Sequence, residues 1–183
     1  MKLLIHILIV CMFAINLQAV SYIYVQEGVK LPLPNQKVTL YNGVPVVVVS
    51  QDGVTAKVKL SGFVGKKSRY KLYATANLKL LFATTKKANL IKISGQKGTM
   101  EVMVPKKSLT KDMEEAWAIN SDLFYNKCTK CHHAKIIEHH SMQEWGALFG
   151  SMKDKARTTK DQNALILRFL RAFAKDGILR EAE

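Results

Sequence analysis

Across 183 residues the chain has room for one domain or two small ones, and composition does not choose between them. It is strongly basic, with 28 Lys and Arg against 14 Asp and Glu, and no repeat or low-complexity run accompanies that charge. Its 3 cysteines exclude a fold built on a disulfide framework.

The first segment, residues 1–19, combines a positive charge at Lys2, an apolar run from Leu3 to Leu17 and a small residue at Ala19. That order of features is an export signal with a peptidase site at its end. The apolar run is shorter than the roughly 20 residues a membrane helix needs. Cleavage is therefore expected, and membrane contact is expected only if the segment is retained. Cys11 follows the bulky Val10, which does not suit lipoprotein processing, and reads as an apolar filler. The mature chain then carries only Cys128 and Cys131 into an oxidising compartment, the periplasm. Nucleic acid is not an expected partner there, despite the charge. Residues 20–111 hold 16 Lys and Arg against 3 acids, a net of +13, whereas residues 112–183 hold 11 against 11.

In the basic half, short β-branched runs are broken by turn signals. Val38–Tyr41, Val44–Gln51 and Val54–Leu60 are separated by Asn42-Gly43 and Asp52-Gly53. Such pairs supply the positive φ of tight turns, which predicts two hairpins in series. Further strands are expected over Tyr70–Ala74, Leu78–Ala83, Leu90–Ser94 and Met100–Val104. Strands this short and evenly spaced predict a small SH3-like barrel or sandwich.

After Pro105 the period lengthens from two to about three and a half. Thr110 is placed to cap a first helix, with Asp112, Glu114 and Glu115 at its positive end and Met113, Trp117 and Phe124 on one face. Ser141 with Glu144 forms a capping box for a second helix carrying Trp145, Leu148, Phe149 and Met152. Thr159 with Gln162 opens a third, which runs through Leu165, Ile166, Phe169, Leu170 and Phe173 to a stop at Gly177. The expected fold class is α+β: a basic SH3-like β domain over residues 20–110, then a three-helix domain over 111–183 built around one cofactor.

That cofactor is read from Cys128-Thr129-Lys130-Cys131-His132. Two thiols at this spacing reach the two vinyl groups of one porphyrin, and the adjoining imidazole is held beneath its iron. One covalent haem c is expected on Cys128 and Cys131, with His132 as proximal ligand. Two other chemistries compete. A redox-active disulfide wants the pair between a strand and a helix, which this helical setting does not supply. Zinc needs two more ligands, for which His139 and His140 are candidates. At the distal iron position Met152 is preferred, because it falls two turns after Trp145 on the same face; His139 or His140 are alternatives, and an open site is a third. Without that role Met152 is an apolar filler. His133 follows the proximal ligand too closely to reach the opposite haem face. A macrocycle also gives Trp117, Trp145, Phe169 and Phe173 a surface to pack on, in a segment of about 70 residues whose own core is small; ordinary core is the other reading of the same four, and the two are compatible.

The stretch Glu115–Lys175, with Trp117, the haem motif, Trp145, Met152 and the closing run from Leu167 to Asp176, resembles the C-terminal monohaem domain of TorC-type cytochromes. Val58 to Phe63, Leu72-Tyr73 and Leu80 to Ala83 are similar to the β segment that family carries before its last haem. The resemblance covers most of the mature chain. It implies an electron carrier whose acceptor is a periplasmic molybdopterin-dependent reductase of N-oxides or S-oxides, with an upstream quinol-linked donor. The family's membrane anchor and multihaem quinol-oxidising module have no counterpart here, so direct quinol oxidation is not expected of this chain. With no second cysteine pair and no nucleophile-base pattern, an electron carrier is expected, not an enzyme. The alternatives are a periplasmic haem-based sensor, which would keep one iron position open, and a basic binding module built on the β half.

Overall fold

The computed structural model describes residues 19–26, 28–66 and 68–179. The expected export segment, with Lys2 and Cys11, lies outside them apart from Ala19. Among the described residues ten strands precede three α-helices, which makes the fold α+β. The strands are β1 Val20–Ile23, β2 Lys30–Leu33, β3 Val38–Tyr41, β4 Pro45–Gln51, β5 Thr55–Gly65, β6 Ser68–Tyr73, β7 Leu81–Thr85, β8 Lys92–Ser94, β9 Lys97–Pro105 and β10 Leu109–Thr110. The helices are α1 Met113–Cys128, α2 Met142–Met152 and α3 Lys160–Ala172. No helix of the described residues is long and apolar enough to cross a membrane.

The strands form one antiparallel sheet in the order β10-β1-β4-β5-β6-β7-β3-β2, with β9 along β5 and β8 outside β9. β5 is its spine. Ala56, Val58 and Leu60 are buried in alternation with Lys57, Lys59 and Ser61, as a strand with one face on a core requires. One edge of β5 pairs with β9 from Thr55 opposite Pro105 to Phe63 opposite Lys97, while its other edge passes from β4 to β6. Sharing one long strand this way curls the sheet into a half-barrel. At the curl Gly62 stands opposite Gly98, and a Cβ on Gly62 would overlap the Tyr73 carbonyl oxygen, so the close passage of β6 needs bare backbone.

Of the two expected hairpins only the second forms. β4 and β5 pair across Asp52-Gly53, where Asp52 Oδ1 accepts from the backbone N–H of Val54 at 2.9 Å and of Thr55 at 2.6 Å. β3 instead pairs with β2 and β7, and β4 with β1. Asn42-Gly43 between them is a buried corner. Asn42, 2% exposed, accepts from Val25 N at 2.8 Å and donates to Ala116 O at 2.7 Å and Asn120 Oδ1 at 3.1 Å. Gly43 has φ +71°, and a Cβ there would overlap the Trp117 indole. The positive φ that suggests a tight turn serves here to slide backbone beneath a tryptophan.

Other boundaries also move. β7 starts at Leu81, not Leu78, because Leu78 takes a left-handed φ of 57° and Leu80 O accepts from Ala74 N at 2.8 Å in the turn before it. β8 is limited to Lys92–Ser94. β1, β2 and β10 are too short to carry a legible alternation, and Pro32 sits within β2 at the sheet edge, where a missing donor is tolerated. The cap of α1 is Asp112, not Thr110: Asp112 Oδ1 accepts from Glu114 N at 2.8 Å and Glu115 N at 3.3 Å. Thr110 is still extended in β10 and bonds the Glu115 carboxylate through its hydroxyl. Both capping boxes, Ser141 with Glu144 and Thr159 with Gln162, form as expected. α3 stops at Ala172, five residues before Gly177, because Ala172 O is taken by Ile178 N at 2.9 Å and Leu179 N at 3.0 Å as the chain folds back.

One contiguous apolar cluster joins Ile23, Val44 and Leu60 of the sheet region to Trp117, Phe124, Ile166 and Phe169 of the helices. Arg168 of α3 crosses that junction. It is 5% exposed, donating through Nε to Asn42 O and through Nη1 to Leu81 O, each at 2.6 Å. Its guanidinium stands 5.4 Å from the Tyr41 ring centre and 5.7 Å from that of Trp117. Burial pulls its pKa down to about 9, which still leaves it charged at neutral pH.

Candidate functional site

α1 delivers its last residue, Cys128, to the edge of a cavity between the helices. Thr129 closes that helix twice on Tyr125 O, by its N–H at 3.3 Å and by its hydroxyl at 2.6 Å. The chain continues as an irregular loop through Cys131 and His132 to a single 3-10 turn, Ile137–His139. Its far end is pinned. The buried Trp145 Nε1 donates to Ile137 O at 2.8 Å, Lys175 N donates to His140 O at 2.8 Å, and Met142 N donates to Asp176 Oδ1 at 2.6 Å. The cysteine-bearing loop is thus held between α1 at one end and α2 with the segment after α3 at the other.

The cavity holds about 300 Å³, at the small end of the range for ligand and cofactor sites, roughly 300–1,000 Å³. Phe124 of α1, Trp145, Leu148 and Phe149 of α2 and Leu170 of α3 give it apolar walls. Cys128, Cys131, His132 and Met152 all line it. The two cysteines are unlinked; Cys128 is half-buried and Cys131 exposed. Burial raises the Cys128 thiol above its ordinary pKa, so it is uncharged at neutral pH, the reverse of the lowered pKa that makes a thiol-exchange cysteine reactive.

His132 Nδ1 lies 2.8 Å from His133 O. A carbonyl can only accept, so Nδ1 is the donor in this contact and Nε2 is left as the ring nitrogen for a metal. A carbonyl on one ring nitrogen is the usual means of orienting the other toward a metal. Met152, the last residue of α2, is half-buried on the wall two turns beyond Trp145.

His139 and His140 do not line this cavity. His139 is exposed in the 3-10 turn, and the His140 ring packs edge-on against Trp145 with centroids 5.0 Å apart. Among the described residues no set of three or more His, Cys, Asp or Glu side chains converges as metal ligands. The aromatic residues divide between the cavity and the core. Trp145 lines the cavity, whereas Trp117, Phe169 and Phe173 form a cluster behind it, with ring centroids 4.9 to 6.4 Å apart. Phe124, Leu148, Phe149 and Leu170 take the cavity positions instead. Lys127, Lys135 and Lys155 also line it and were not anticipated. The signal available was their spacing: Lys127 directly precedes Cys128, Lys135 follows His132 by three, and Lys155 follows Met152 by three.

No protein-family model, curated protein or solved structure matches the chain.

Proposed function

We propose that the chain is a periplasmic monohaem c-type cytochrome that carries electrons between redox proteins, its curled sheet an SH3-like barrel and its helices a small cytochrome domain. The observation that carries this reading is the convergence of Cys128, Cys131, His132 and Met152 on one apolar cavity. The residues fit a covalent haem: both thiols stand at the rim, the imidazole leaves Nε2 as the ring nitrogen for a metal, a thioether lies on the wall, and the remaining wall is aliphatic and aromatic. Bound there, the haem supplies one-electron exchange at its iron.

The chain's own groups do the rest. Cys128 and Cys131 would tether the macrocycle, and His133 O would orient the His132 ring through Nδ1, leaving Nε2 to hold the metal. Met152 would offer a soft, neutral sulfur, which would favour the reduced iron and raise the potential relative to a second imidazole. Phe124, Trp145 and Phe149 keep water from the site. The resemblance to TorC-type cytochromes supports a molybdopterin-dependent N-oxide or S-oxide reductase as acceptor and a quinol-linked protein as donor. The chain is a carrier with no catalytic group of its own.

Denaturing gels stained for haem peroxidase activity test this directly. Wild type shows one stained band at its own mass, and Cys128→Ala or Cys131→Ala abolishes the stable holoprotein. A colourless wild-type band from a host with an active haem-attachment system ends the reading.

A further inference from the structure

We infer that Lys127, Lys135 and Lys155 form the carboxylate-binding rim of the cavity, pairing with the two acidic side chains of the macrocycle and so fixing its in-plane orientation. The inference rests on the haem reading and adds to it an assignment of the non-covalent contacts. Its first ground is the composition of the lining. Among the described residues the cavity has apolar walls, two thiols, one imidazole, one thioether and three ammonium groups, and no carboxylate. That surface suits a flat apolar ligand bearing negative charge at its edge.

The local charge balance makes the selection sharper. Residues 112–183 carry 11 basic and 11 acidic side chains, yet among the described residues only basic ones line the cavity. Nor are the three lysines already spent on protein acids: among the described residues the one ion pair is Lys57 with Glu101, far off on the sheet. Lys127 is half-buried, a placement a lysine tolerates when its stem lies on apolar wall and its ammonium finds charge or water at the mouth. The three come from separate segments, one from the end of α1, one from the loop after His132 and one from the turn after Met152. No single amphipathic stripe brings them together; the packing of α1 and α2 around the cavity does.

The consequence is electrostatic. A carboxylate within about 4–6 Å of a cation ionises at a pH lower by roughly 1 to 3 units. Paired with these lysines, the macrocycle's carboxylates are ionised across pH 5 to 8, and the reduction potential does not change with pH on their account. Without the lysines their ionisation moves up into that range. Each ionisation adds negative charge, which stabilises ferric over ferrous iron, so the potential then falls as pH rises. The remaining groups of the lining are His132, which would hold the iron and stands on His133 O, and the two cysteines, which attachment would consume.

The experiment compares wild-type holoprotein with the triple variant Lys127→Gln, Lys135→Gln, Lys155→Gln and with its Lys→Arg counterpart. The carboxylate-bending bands in the resonance Raman spectrum should shift in the Gln variant and return in the Arg variant. The potential should be flat from pH 5 to 8 in wild type and Arg variant, and should decline with pH in the Gln variant. If the triple variant fails to mature, the exposed single changes Lys135→Gln and Lys155→Gln are measured in the same way. Haem-stained Gln variants with unshifted bands and a wild-type pH profile overturn the rim assignment while leaving the cytochrome reading intact. A wild-type protein without haem removes both.

Discussion

Arg168→Met tests whether the sheet and the helices are held by a buried cation as well as by apolar packing. The substitution preserves most of the side-chain volume on α3 and removes two charge-assisted hydrogen bonds, to Asn42 O and Leu81 O at 2.6 Å each. Bonds of this kind contribute roughly 1.5–3 kcal/mol apiece, and each carbonyl left buried without its donor costs on the order of 1–3 kcal/mol. Against this stands the desolvation of the guanidinium, several kcal/mol, which methionine does not incur. Its Nη2 has no hydrogen-bond partner among the described residues, so part of that desolvation is uncompensated there. The balance is a destabilisation of about 3 kcal/mol. Arg171, which makes one bond to Lys79 O at 2.9 Å, should lose less on the same change. Urea unfolding of the holoprotein, followed by far-ultraviolet circular dichroism and by tryptophan fluorescence, measures both. Trp117 and Trp145 both lie in helices, so fluorescence reports the helical half while the sheet contributes to dichroism. Because one apolar cluster spans the junction, the two transitions should shift together. A loss under 1 kcal/mol for Arg168→Met, or a fluorescence shift without a dichroism shift, would refute the view that Arg168 clamps the two halves.

Gly43→Ala places a methyl group into the Trp117 indole at a backbone φ of +71°; left-handed strain and overpacking together should cost about 3 kcal/mol, read from the urea midpoint, and an unchanged midpoint would mean the corner yields freely. Met152→Ala should remove the weak near-infrared sulfur-to-iron band of the oxidised protein; if wild type lacks that band and His139→Ala or His140→Ala turns the spectrum high-spin, a histidine is the ligand. Charge reversal at Lys66, Lys67, Lys86 and Lys87 should slow stopped-flow electron exchange with a molybdenum reductase at low salt and matter little once added salt contracts the Debye length below about 8 Å; rates indifferent to both salt and reversal would make the sheet a spacer.

How much of this fold is legible in the sequence depends on the range of the interactions that set each element. Both capping boxes form where they are expected, because a box is settled by four consecutive residues. The Asp52-Gly53 hairpin forms for the same reason: its turn is closed by Asp52 upon Val54 and Thr55. Asn42-Gly43 carries the same local signal and has another outcome, because its partners are Val25, Ala116 and Asn120, as far as 78 residues away. A dipeptide reports that the chain turns with positive φ; it does not report which strand lies beyond. The end of α3 is misjudged likewise, since Gly177 signals a reversal and Ala172 O, five residues earlier, is what the returning chain caps.

The candidate site divides along the same line. The two thiols and the imidazole are adjacent in the chain, so the proposed haem chemistry is read from their spacing alone, and the fold adds the cavity that they line. The cavity itself is a long-range product. Phe124, Leu148, Phe149 and Leu170 reach it from three helices, and periodicity could mark them as apolar without saying whether they face a cofactor or the sheet. Trp117 and Phe169 show the cost of that ambiguity: they have the same pattern and face the other way, because the Asn42-Gly43 corner and Arg168 draw α1 and α3 onto the sheet. The site therefore depends on residues with no haem chemistry of their own. The corner and the clamp decide which aromatic residues are spent on the junction, and the walls of the cavity are made from those that remain. On that logic a change at Gly43 or Arg168 should disturb the spectrum of the bound haem as well as the stability of the fold, although neither residue lines the cavity.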